Sequence, residues 1–436
     1  MDEVAVGVGP LRRLRGVFYG WWMVGLTAVT VAMTNGAASH GLGVFFVALE
    51  SQFGWSRTVL SGAFALARLE GTVLGPVEGY LTDRYGTRRV VLVGFFILGC
   101  GFLMFSFSRN LPGFYVAFFV VAMGGGLSGF LPMITLANNW FVRRRSMALA
   151  LAGMGIYLGG VMLPALALGI GTLGWRTVSV GLGIFFLLMG FPLTRLIRNR
   201  PEEYGQRPDG DPLDVPSPGA GDETRIDGSE DEDFTARQAM ATSAFWLITF
   251  SHGFSAMVVG ALQVHAIPML HDAGLSLELA ATVVATYTFV AMGSRILGGY
   301  LGDRFPKTVV IFAFACVQAT GVLVAVVVDS FSTALLFAVL FGLGWGGRGA
   351  LFTAIRGDYF GRKAFATIFG FSAFFLSGVS VVAPLFAGYI FDTQGSYDLA
   401  LITFAIINVL GGSLVLFAKK PSMTRSVSGV DQEKTM

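Results

Sequence analysis

The chain has 436 residues, of which 54% are hydrophobic and 13% are charged, with a formal net charge of +3. Soluble globular proteins average about 25% charged residues, so this composition excludes an ordinary soluble domain and favours a protein dissolved in lipid. The net charge is too small to indicate a nucleic-acid partner. We therefore expect the lipid bilayer as the surrounding and no bound nucleic acid.

Twelve apolar stretches follow one another along the chain. A helix needs about 20 predominantly apolar residues to cross a bilayer, and each stretch is close to that length. The predicted spans run over approximately 20–48, 58–82, 90–108, 112–138, 146–170, 175–197, 244–270, 279–302, 308–328, 331–355, 364–390 and 397–418. The sequence thus predicts an all-α polytopic membrane protein with twelve transmembrane helices.

The middle of the chain differs in composition from the parts on either side. Residues 199–237 contain five prolines, many glycines and serines, and 12 of the 27 acidic residues. Such a segment cannot bury a core, which predicts a flexible, irregular linker. The predicted segments are an N-terminal segment 1–19, a six-helix bundle 20–198, a linker 199–243, a second six-helix bundle 244–418 and a tail 419–436.

Arginines and lysines are concentrated in alternate connections between the predicted spans. The cluster at 143–145 is an example from one side, whereas the connections on the other side hold only Arg57, Arg109 and Arg176. Basic residues accumulate on the cytoplasmic side of a membrane protein. The pattern predicts that both termini and the linker are cytoplasmic, in a multi-pass protein of the cell membrane (plasma or inner).

Two loop patterns recur at nearly the same offset. Residues 79–84 (Gly-Tyr-Leu-Thr-Asp-Arg) return as 299–304 (Gly-Tyr-Leu-Gly-Asp-Arg), and 299 − 79 = 220. Residues 139–143 (Asn-Trp-Phe-Val-Arg) return as 358–362 (Asp-Tyr-Phe-Gly-Arg), and 358 − 139 = 219. Two landmarks at nearly one offset predict a duplicated six-helix unit. Two pseudo-symmetric halves with a substrate site between them are a known transporter architecture.

The loop at 79–89 reads G-x-x-x-D-R-x-G-x-R-R and resembles the most specific loop motif of the major facilitator superfamily. The resemblance covers roughly 18–420 and implies the major facilitator fold. A short loop with Asp and Arg can cap a helix end and form charge pairs between the halves, so we interpret it as a latch that must open before the site faces inward. The predicted gating residues are Gly79, Asp83, Arg84, Gly86, Arg88, Arg89, Asp303 and Arg304.

A narrower resemblance lies at 140–159, where an aromatic-Phe pair precedes three basic residues and then spaced Ala and Gly. This stretch is similar to the fifth-helix signature of the monocarboxylate transporter family. Arg295, four residues before a glycine, matches that family's substrate-binding arginine and implies carboxylate binding. Ala291 and Ile296 depart from the Asp and Pro of animal members, and His40 stands where they have a lysine. Coupling by the familiar Lys and Asp is therefore not implied.

Three arginines, Arg68, Arg295 and Arg348, lie inside predicted spans. A buried arginine costs at least about 2.5–3.5 kcal/mol at the bilayer centre, so it persists where it faces a partner or an aqueous cavity. Arg295 has no acidic residue on its own span, which leaves a carboxylate substrate or a partner on another helix as its counter-ion. The predicted substrate-binding residues are Arg295, Arg348, His40, Asn35, Tyr287, Trp345 and Tyr157.

Four residues inside the spans are candidates for coupling transport to protons: His40, Glu70, His252 and Arg68. A histidine can carry a proton near neutral pH, and a carboxyl in a membrane can titrate. Structural roles remain open for each of them. A lone histidine often only satisfies hydrogen bonds, and Arg68 points to a different helix face from Glu70, which favours a partner on another helix.

The sequence contains no Walker loop, metal-ligand cluster, nucleophile triad or paired catalytic carboxylates, so we expect neither an enzyme nor a cofactor. The leading hypothesis is secondary active transport of a small organic anion, most simply a monocarboxylate, by proton symport or exchange in a functional monomer. Three alternatives remain open. They are exchange of a dicarboxylate for another anion, which two arginines in one half would suit, cation or drug efflux, and a transport-dead receptor on the same fold.

Overall fold

The computed structural model describes residues 18–41, 45, 48–49, 52–55, 57–159, 163–211 and 233–421. Within these ranges the side chains at 39–40, 57–70, 163–164, 167, 267, 277–278, 281 and 378–381 are outside the description. The described part of the chain is almost entirely helical and contains no β-strand. This content agrees with the predicted all-α class.

The described residues form sixteen α-helices. In chain order these are α1 Tyr19–Asn35, α2 Arg57–Tyr85, α3 Thr87–Ser106, α4 Leu111–Ser128, α5 Phe130–Trp140, α6 Arg145–Ala152, α7 Gly155–Leu158, α8 Leu163–Leu173, α9 Trp175–Leu196, α10 Ala236–Met240, α11 Ser243–Asp272, α12 Leu277–Arg304, α13 Lys307–Val326, α14 Phe331–Phe360, α15 Phe365–Gln394 and α16 Asp398–Leu414. A π-helical segment, Gly36–His40, continues α1, and short 3₁₀ turns occupy Glu202–Tyr204, Pro208–Gly210 and Val415–Phe417.

Helix boundaries have the same local causes in both halves. Asn110 and Ser330, which are 220 residues apart, cap the starts of α4 and α14 by accepting a backbone N–H from the first turn. Gly86 and Pro306, again 220 apart, precede α3 and α13. Gly86 has a φ of +81°, a conformation that glycine adopts without steric cost. The repeat seen in the loop motifs therefore extends to helix starts.

Eight helical segments of the described part are long and apolar enough to cross a membrane. They are Thr87–Ser106, Leu111–Trp140, Trp175–Leu196, Ser243–Ala266, Lys307–Val326, Phe331–Phe360, Phe365–Gln394 and Asp398–Phe417. The described residues of the other predicted spans are also mostly helical, but α1 has 17 residues and α2 and α12 carry several charged residues. The fifth predicted span, 146–170, is interrupted at Gly153 and comprises α6, α7 and α8. The count of twelve stays a prediction.

Small residues set the helix spacing inside each half. The crossing of α12 with α14 is the tightest example, because a Cβ on Gly346 would lie 1.9 Å from the carbonyl oxygen of Ala291. In α3 and α4, a Cβ on Gly124 would lie 2.3 Å from the backbone nitrogen of Leu98. Such close backbone approach is how membrane helices gain packing contacts where lipid supplies no hydrophobic drive.

Two helix pairs make the most extensive contacts between the halves. The long helix α2 packs along α15, and α12 packs against α6, so each pair joins one element of each half. Separate apolar cores fill the first half, around Phe102 and Phe118, and the second, around Phe337 and Phe341. The site and the latch described below both lie at the helix pairs between these cores.

The described ends of the linker are partly ordered. The segment after α9 contains the two 3₁₀ turns at Glu202–Tyr204 and Pro208–Gly210, and the segment before α11 contains α10. Residues 212–232, the most acidic part of the predicted linker, lie outside the described residues. The segment boundaries drawn from the sequence remain predictions.

Candidate functional site

The first contact between the halves is made by Asp83, near the end of α2. Its carboxylate accepts the backbone N–H groups of Thr367 (2.7 Å) and Ala366 (3.2 Å) and the hydroxyl of Thr367 (2.6 Å). The first N–H groups of α15 have no acceptor inside their own helix, and the helix dipole favours a negative charge there. Burial raises the pKa of Asp83 to about 6, although these hydrogen bonds and nearby Arg200 act in the opposite direction.

The second contact repeats the first with the halves exchanged. Asp303, at the end of α12, accepts the backbone N–H groups of Ser146 (2.8 Å) and Met147 (3.0 Å) in the first turn of α6. Asp303 follows Asp83 by 220 residues, and Thr367 follows Met147 by the same interval. Burial also raises the pKa of Asp303. We call these two inter-half caps the latch, and the end of the molecule that carries them the latch face.

An ion-pair cluster lies beside the latch. Asp358 of α14 pairs with Arg145 of the other half at 2.5 Å and with Lys307 at 2.7 Å. Arg362 donates to the backbone oxygen of Asn139 at 2.9 Å, again across the halves. These contacts bring the repeated loops 139–143 and 358–362 together at the end of the bundle that carries the latch. The sequence analysis counted Arg145 as an ordinary basic loop residue, but the structure buries it at 1% exposure.

The two glycines of the first latch loop have separate structural reasons. A Cβ on Gly79 would lie 2.3 Å from the backbone oxygen of Ala366, so α2 and α15 approach this closely only without a side chain there. Gly299, the equivalent residue, also lies close to α6, where a Cβ would be 2.8 Å from that of Ala150. Gly86 instead supplies the positive φ that starts α3.

The loop arginines lie around the latch and not in it, as far as the described residues show. Arg84 donates to the hydroxyl of Tyr80 at 2.5 Å, and Arg304 lies over a tyrosine ring of its own helix at 4.2 Å. The side chains of Arg88 and Arg89 are exposed on the latch face. Their gating role stays a prediction.

Arg295, in α12, lies against the interrupted fifth span of the other half and is 5% exposed. Its Nε donates to the backbone oxygen of Ala150 at 3.0 Å, and its Nη2 to that of Leu149 at 3.5 Å. Two glycines make the space: a Cβ on Gly153 would be 1.9 Å from Nη2, and one on Gly349 would be 2.9 Å from Nη1. Among the side chains that the structure describes, no carboxylate forms an ion pair with Arg295.

Three of the predicted aromatic residues form a chain of ring contacts that starts beside Arg295. Tyr157 lies beside the guanidinium, and its ring packs edge-on against Trp345 at 6.1 Å. Trp345 also contacts Tyr287 at 6.1 Å. Tyr157 comes from α7, Trp345 from α14 and Tyr287 from α12, so the cluster is shared by both halves. The structure thus brings together four of the seven predicted substrate-binding residues.

Arg348 lies in a different environment from Arg295. It is 1% exposed, donates to the backbone oxygen of Gly344 at 3.2 Å and donates to Oδ1 of Asn408 at 3.0 Å. Asn408 in turn donates to the backbone oxygen of Ala315 at 2.9 Å. These partners all belong to the second half, in α13, α14 and α16. The contacts favour the structural alternative, and a substrate role for Arg348 stays a prediction.

Asn35 lines a separate cavity of about 310 Å³. This cavity lies mainly within the first half and is closed on one side by Phe369 of α15. Glu78 also lines it, with its carboxylate packed against Gly126, where a Cβ would be 2.1 Å from Oε1. The structure thus turns this carboxylate into the first half.

Of the four coupling candidates, only His252 has a side chain that the structure describes. The side chains of His40, Arg68 and Glu70 lie outside the described residues, so their roles stay predictions. His252 stacks on Phe352 at 4.5 Å, and its Nδ1 lies 3.4 Å from Nη1 of a buried arginine, Arg356.

Arg356 lies just beyond the predicted span 331–355, yet it is 1% exposed inside α14. Its Nε donates to the hydroxyl of Ser372 at 3.1 Å and its Nη1 to the backbone oxygen of Phe352 at 2.6 Å. The repeat offers a signal that could have identified it. At the offset of 219 the first half has Ala137, so Arg356 is a charge that only one copy carries.

The linker supplies two further carboxylates that the sequence analysis missed. Asp209 accepts the backbone N–H groups of Val142 (2.9 Å) and Arg143 (2.8 Å), just before α6. Asp233 accepts those of Arg362 (2.8 Å) and Lys363 (3.0 Å), just before α15. The two capped loops are the repeat-related pair at 139–143 and 358–362. The composition of the linker predicted an irregular segment and gave no indication that its two ends are held in this way.

The arrangement suits ligand binding and relative movement of the halves more than the making or breaking of covalent bonds. A buried cation, hydroxyl and indole groups meet where the halves touch, and the latch holds the halves together at one end. In the part of the chain that the structure describes, no three His, Cys, Asp or Glu residues gather as metal ligands. Recognition of an anion by a guanidinium is the chemistry available at this position.

Comparisons with known sequences agree with this geometry. The family model of the Major Facilitator Superfamily matches residues 25–263 and 245–435. Human monocarboxylate transporter 11 is 28% identical over 91% of this chain and 81% of its own length. Mouse monocarboxylate transporter 4 is 26% identical over 100% of this chain and 92% of its own length.

Solved structures share the fold at low sequence identity. The transporter FucP in the outward conformation has a TM-score of 0.71 at 12% identity, over 93% of this chain and 100% of its own. The proton:xylose symporter XylE has a TM-score of 0.63 at 14% identity, over 92% and 96%. The predicted all-α membrane fold is thereby confirmed, and the function is that of a multi-pass transport protein, not of an enzyme. The chain belongs to the Major Facilitator Superfamily.

Proposed function

We propose that this transporter carries a small organic anion, most simply a monocarboxylate, and that Arg295 binds its carboxylate. The observation that carries the proposal is the buried guanidinium between the halves, with no carboxylate partner among the described side chains. The curated relatives named monocarboxylate transporters support the same substrate class.

The geometry explains how an anion would be held. In the present state Arg295 donates to two carbonyl oxygens at the end of α6, the negative end of that helix dipole. Carbonyls stabilise a guanidinium without neutralising it, so the site retains a positive charge in a low-dielectric region. A carboxylate offers two oxygens in the geometry of the guanidinium fork and would form stronger, charge-assisted hydrogen bonds. Tyr157 lies beside the guanidinium and is a further donor for the same anion.

The same contacts connect binding to alternating access. Arg295 belongs to the second half, and its acceptors Leu149 and Ala150 belong to the first. An anion that withdraws Arg295 from these carbonyls removes a bond between the halves close to the Asp303 cap. Anion binding would thereby favour movement of the halves once the latch opens. A ligand shifts such an equilibrium only by binding the two states unequally, and this geometry provides that difference.

The hydrogen bonds of Arg348 bear on whether the substrate carries one carboxylate or two. Exchange of a dicarboxylate would suit two arginines in one site, but Arg348 is hydrogen-bonded to Asn408 within its own half. Of these two arginines, Arg295 is therefore the one available to an anion, which favours a monocarboxylate. Proton symport and exchange both remain compatible with His40, Glu70, His252 or Arg68 as coupling residues. We further propose cytoplasmic termini, a location in the cell membrane and a functional monomer.

The proposal is tested by uptake into proteoliposomes of radiolabelled mono- and dicarboxylates, with and without a pH gradient. Arg295→Ala should abolish carboxylate binding in a folded, inserted protein, and Arg295→Lys should weaken it by about tenfold or more, because the ammonium cannot form the bidentate pair. A stable Arg295→Ala protein with unchanged carboxylate affinity would overturn the assignment.

Arg348→Lys is the matched control, because it makes the same chemical change in the same half. Loss of its bond to Asn408 should lower thermal stability while carboxylate affinity stays close to that of the wild type. If Arg348→Lys instead lost affinity and Arg295→Lys did not, Arg348 would replace Arg295 as the binding residue.

A further inference from the structure

A second cavity, of about 720 Å³, opens at the latch face. Its walls come from the first latch loop, the helix α5, the start of the linker and the loop before α15. They are predominantly polar, and they contain five arginines against two acidic residues. The arginines are Arg84, Arg88, Arg89, Arg200 and Arg362, and the acidic residues are Asp83 and Glu203. The cavity is separate from the Arg295 cluster, since no residue lines both.

Several of these positive charges have no ion-pair partner among the described residues. Arg362 pairs with Glu202 at 2.8 Å, and Arg84 is held by Tyr80. Among the described residues, however, the side chains of Arg88, Arg89 and Arg200 form no ion pair. The charge of Arg200 acts on Asp83, but the oxygens of Asp83 are already occupied by the first turn of α15. The cavity therefore retains an excess of guanidinium donors.

The number and type of donors select the ligand chemistry. A carboxylate has one charge and two oxygens, which one guanidinium satisfies in a bidentate pair. A phosphate group has up to two charges and three strong acceptor oxygens, which suit several arginines at once. A volume of about 720 Å³ lies within the usual range for small-molecule sites and exceeds what a single phosphate ion needs.

We propose that this cavity binds a phosphate-bearing anion, either the headgroup of an anionic phospholipid or a soluble phosphate compound. Arg88, Arg89 and Arg200 form the open part of the site, and Arg362 completes it from the second half. Because the walls come from both halves, the anion binds the latch-closed state more tightly than the open one. Occupancy therefore stabilises the closed latch and slows its opening.

The test uses the purified full-length protein and measures binding, not transport. For the soluble source, sodium pyrophosphate is titrated against the protein in detergent, with sodium chloride at matched ionic strength as the reference. For the lipid source, the protein is placed in nanodiscs of phosphatidylcholine alone or of one part phosphatidylglycerol to four parts phosphatidylcholine. Thermal unfolding and hydrogen exchange of the segment around Arg88 report occupancy in both arms.

The variant Arg88→Gln/Arg89→Gln removes two unpaired guanidiniums from the site. Pyrophosphate or phosphatidylglycerol should stabilise the wild type and protect the segment, and the variant should bind that ligand at least about tenfold more weakly. Arg143→Gln/Arg195→Gln removes two exposed arginines outside the cavity and should bind as the wild type does. Protection by only one ligand identifies the source.

Three results would overturn the proposal. One is no stabilisation by either ligand beyond matched sodium chloride, and another is equal stabilisation of the wild type and the Arg88→Gln/Arg89→Gln variant. The third is binding that appears only after the seven acidic residues between 212 and 232 are replaced by amides. That outcome would assign the arginines to the protein's own linker.

Discussion

The two helix pairs that join the halves begin alike and then diverge. At the latch face, Asp83 caps α15 and Asp303 caps α6, and glycines at 79 and 299 allow both pairs to cross closely. One turn deeper the repeat breaks. Gly75 of α2 lies on Gly370 of α15, whereas the equivalent positions, each 220 residues away, are Arg295 and Ala150.

This divergence separates two kinds of contact. The pair α2–α15 remains a backbone-to-backbone crossing, and α15 is continuous over 30 residues. In the other pair, α6 ends after eight residues, and its final carbonyls receive a guanidinium. Where the copies agree, the contact is mechanical and holds the halves together. Where they differ, a charge meets a helix end, and this is the arrangement that we propose binds the anion.

The largest expected effect comes from forcing the mechanical crossing apart. A Cβ on Gly370 would lie 2.4 Å from the backbone oxygen of Gly75 and 3.0 Å from Cα of Pro76, and backbone atoms cannot rotate away. Gly370→Val should therefore destabilise the latch-closed state by about 1–3 kcal/mol. The measurements are thermal unfolding and hydrogen exchange at Thr367, which should increase as the Asp83 cap opens.

The control for this change lies on the same helix. A Cβ on Gly388 would meet its nearest atom, on His265, at an ordinary 3.8 Å. Gly388→Ala should leave the exchange rate at Thr367 unaltered. If Gly370→Val showed wild-type exchange there, the crossing at Gly75 would not be the contact that holds this pair.

The equivalent change in the other pair should affect binding more than stability. A Cβ on Gly153 would lie 1.9 Å from Nη2 of Arg295, which is the end of a flexible side chain and can move. Gly153→Ala should displace the guanidinium and lower carboxylate affinity by about tenfold, since each factor of ten is about 1.4 kcal/mol. Equilibrium binding of labelled substrate measures the change.

Gly171→Ala serves as its control, because no atom lies within 4 Å of the position that its Cβ would take. That variant should bind substrate as the wild type does. An affinity unchanged in Gly153→Ala, in a protein whose Arg295→Ala variant has lost binding, would show that Arg295 meets the anion away from α6.

The sequence predicted the latch more completely than the site. A carboxylate at a loop motif needs only a helix start as its partner, and the repeat placed both acids at one face of the bundle. Arg295 and Arg348 could not be separated in this way, because both are intramembrane arginines beside glycines. Only the crossing of α12 with α6 turns one toward the other half, while Asn408 holds the other within its own.

Counting charges along the sequence also failed to reveal the structural roles of several residues. It treated Arg145 as equal to exposed loop arginines and left Arg356 just outside the predicted span 331–355, although both are buried. Composition made the linker look uniformly flexible, since a polar segment buries no core of its own. The caps made by Asp209 and Asp233 depend on backbone N–H groups far away in the chain, which composition cannot reveal.

Those linker caps provide a smaller test, because each supports the helix that starts one crossing. Asp209→Ala leaves the N–H groups before α6 without their acceptor, and Asp233→Ala does the same before α15. Each should lower stability by about 1 kcal/mol, as loss of a helix cap does. Thermal unfolding of each single variant and of the double variant measures the effects.

The double variant supplies the control. The two caps share no hydrogen-bonding partner, so their losses should add. A double variant no less stable than one single variant would show that the linker ends act together. The two ends of the linker would then not support the two crossings independently.

The smallest expected effect is a pH dependence of the latch at Asp83. Burial raises its pKa from an ordinary 3.8 to about 6 in the closed state, and opening would return the group to water and to its ordinary value. Because the closed state binds the proton more tightly, lowering the pH through about 6 favours closure, and raising it has the opposite effect. Between pH 7 and pH 6 the ratio of closed to open protein should rise by about twofold, which is the change that a pKa of about 6 permits.

Hydrogen exchange at Ala366 and Thr367 measures this change, with the wild type compared at each pH with Asp83→Asn. Asn cannot titrate and resembles the protonated acid, so this variant should lack the pH effect, retain substrate binding and turn over more slowly. A pH effect that persists in Asp83→Asn would assign the titration to another group, with Asp303, whose pKa is also raised by burial, as the first to examine.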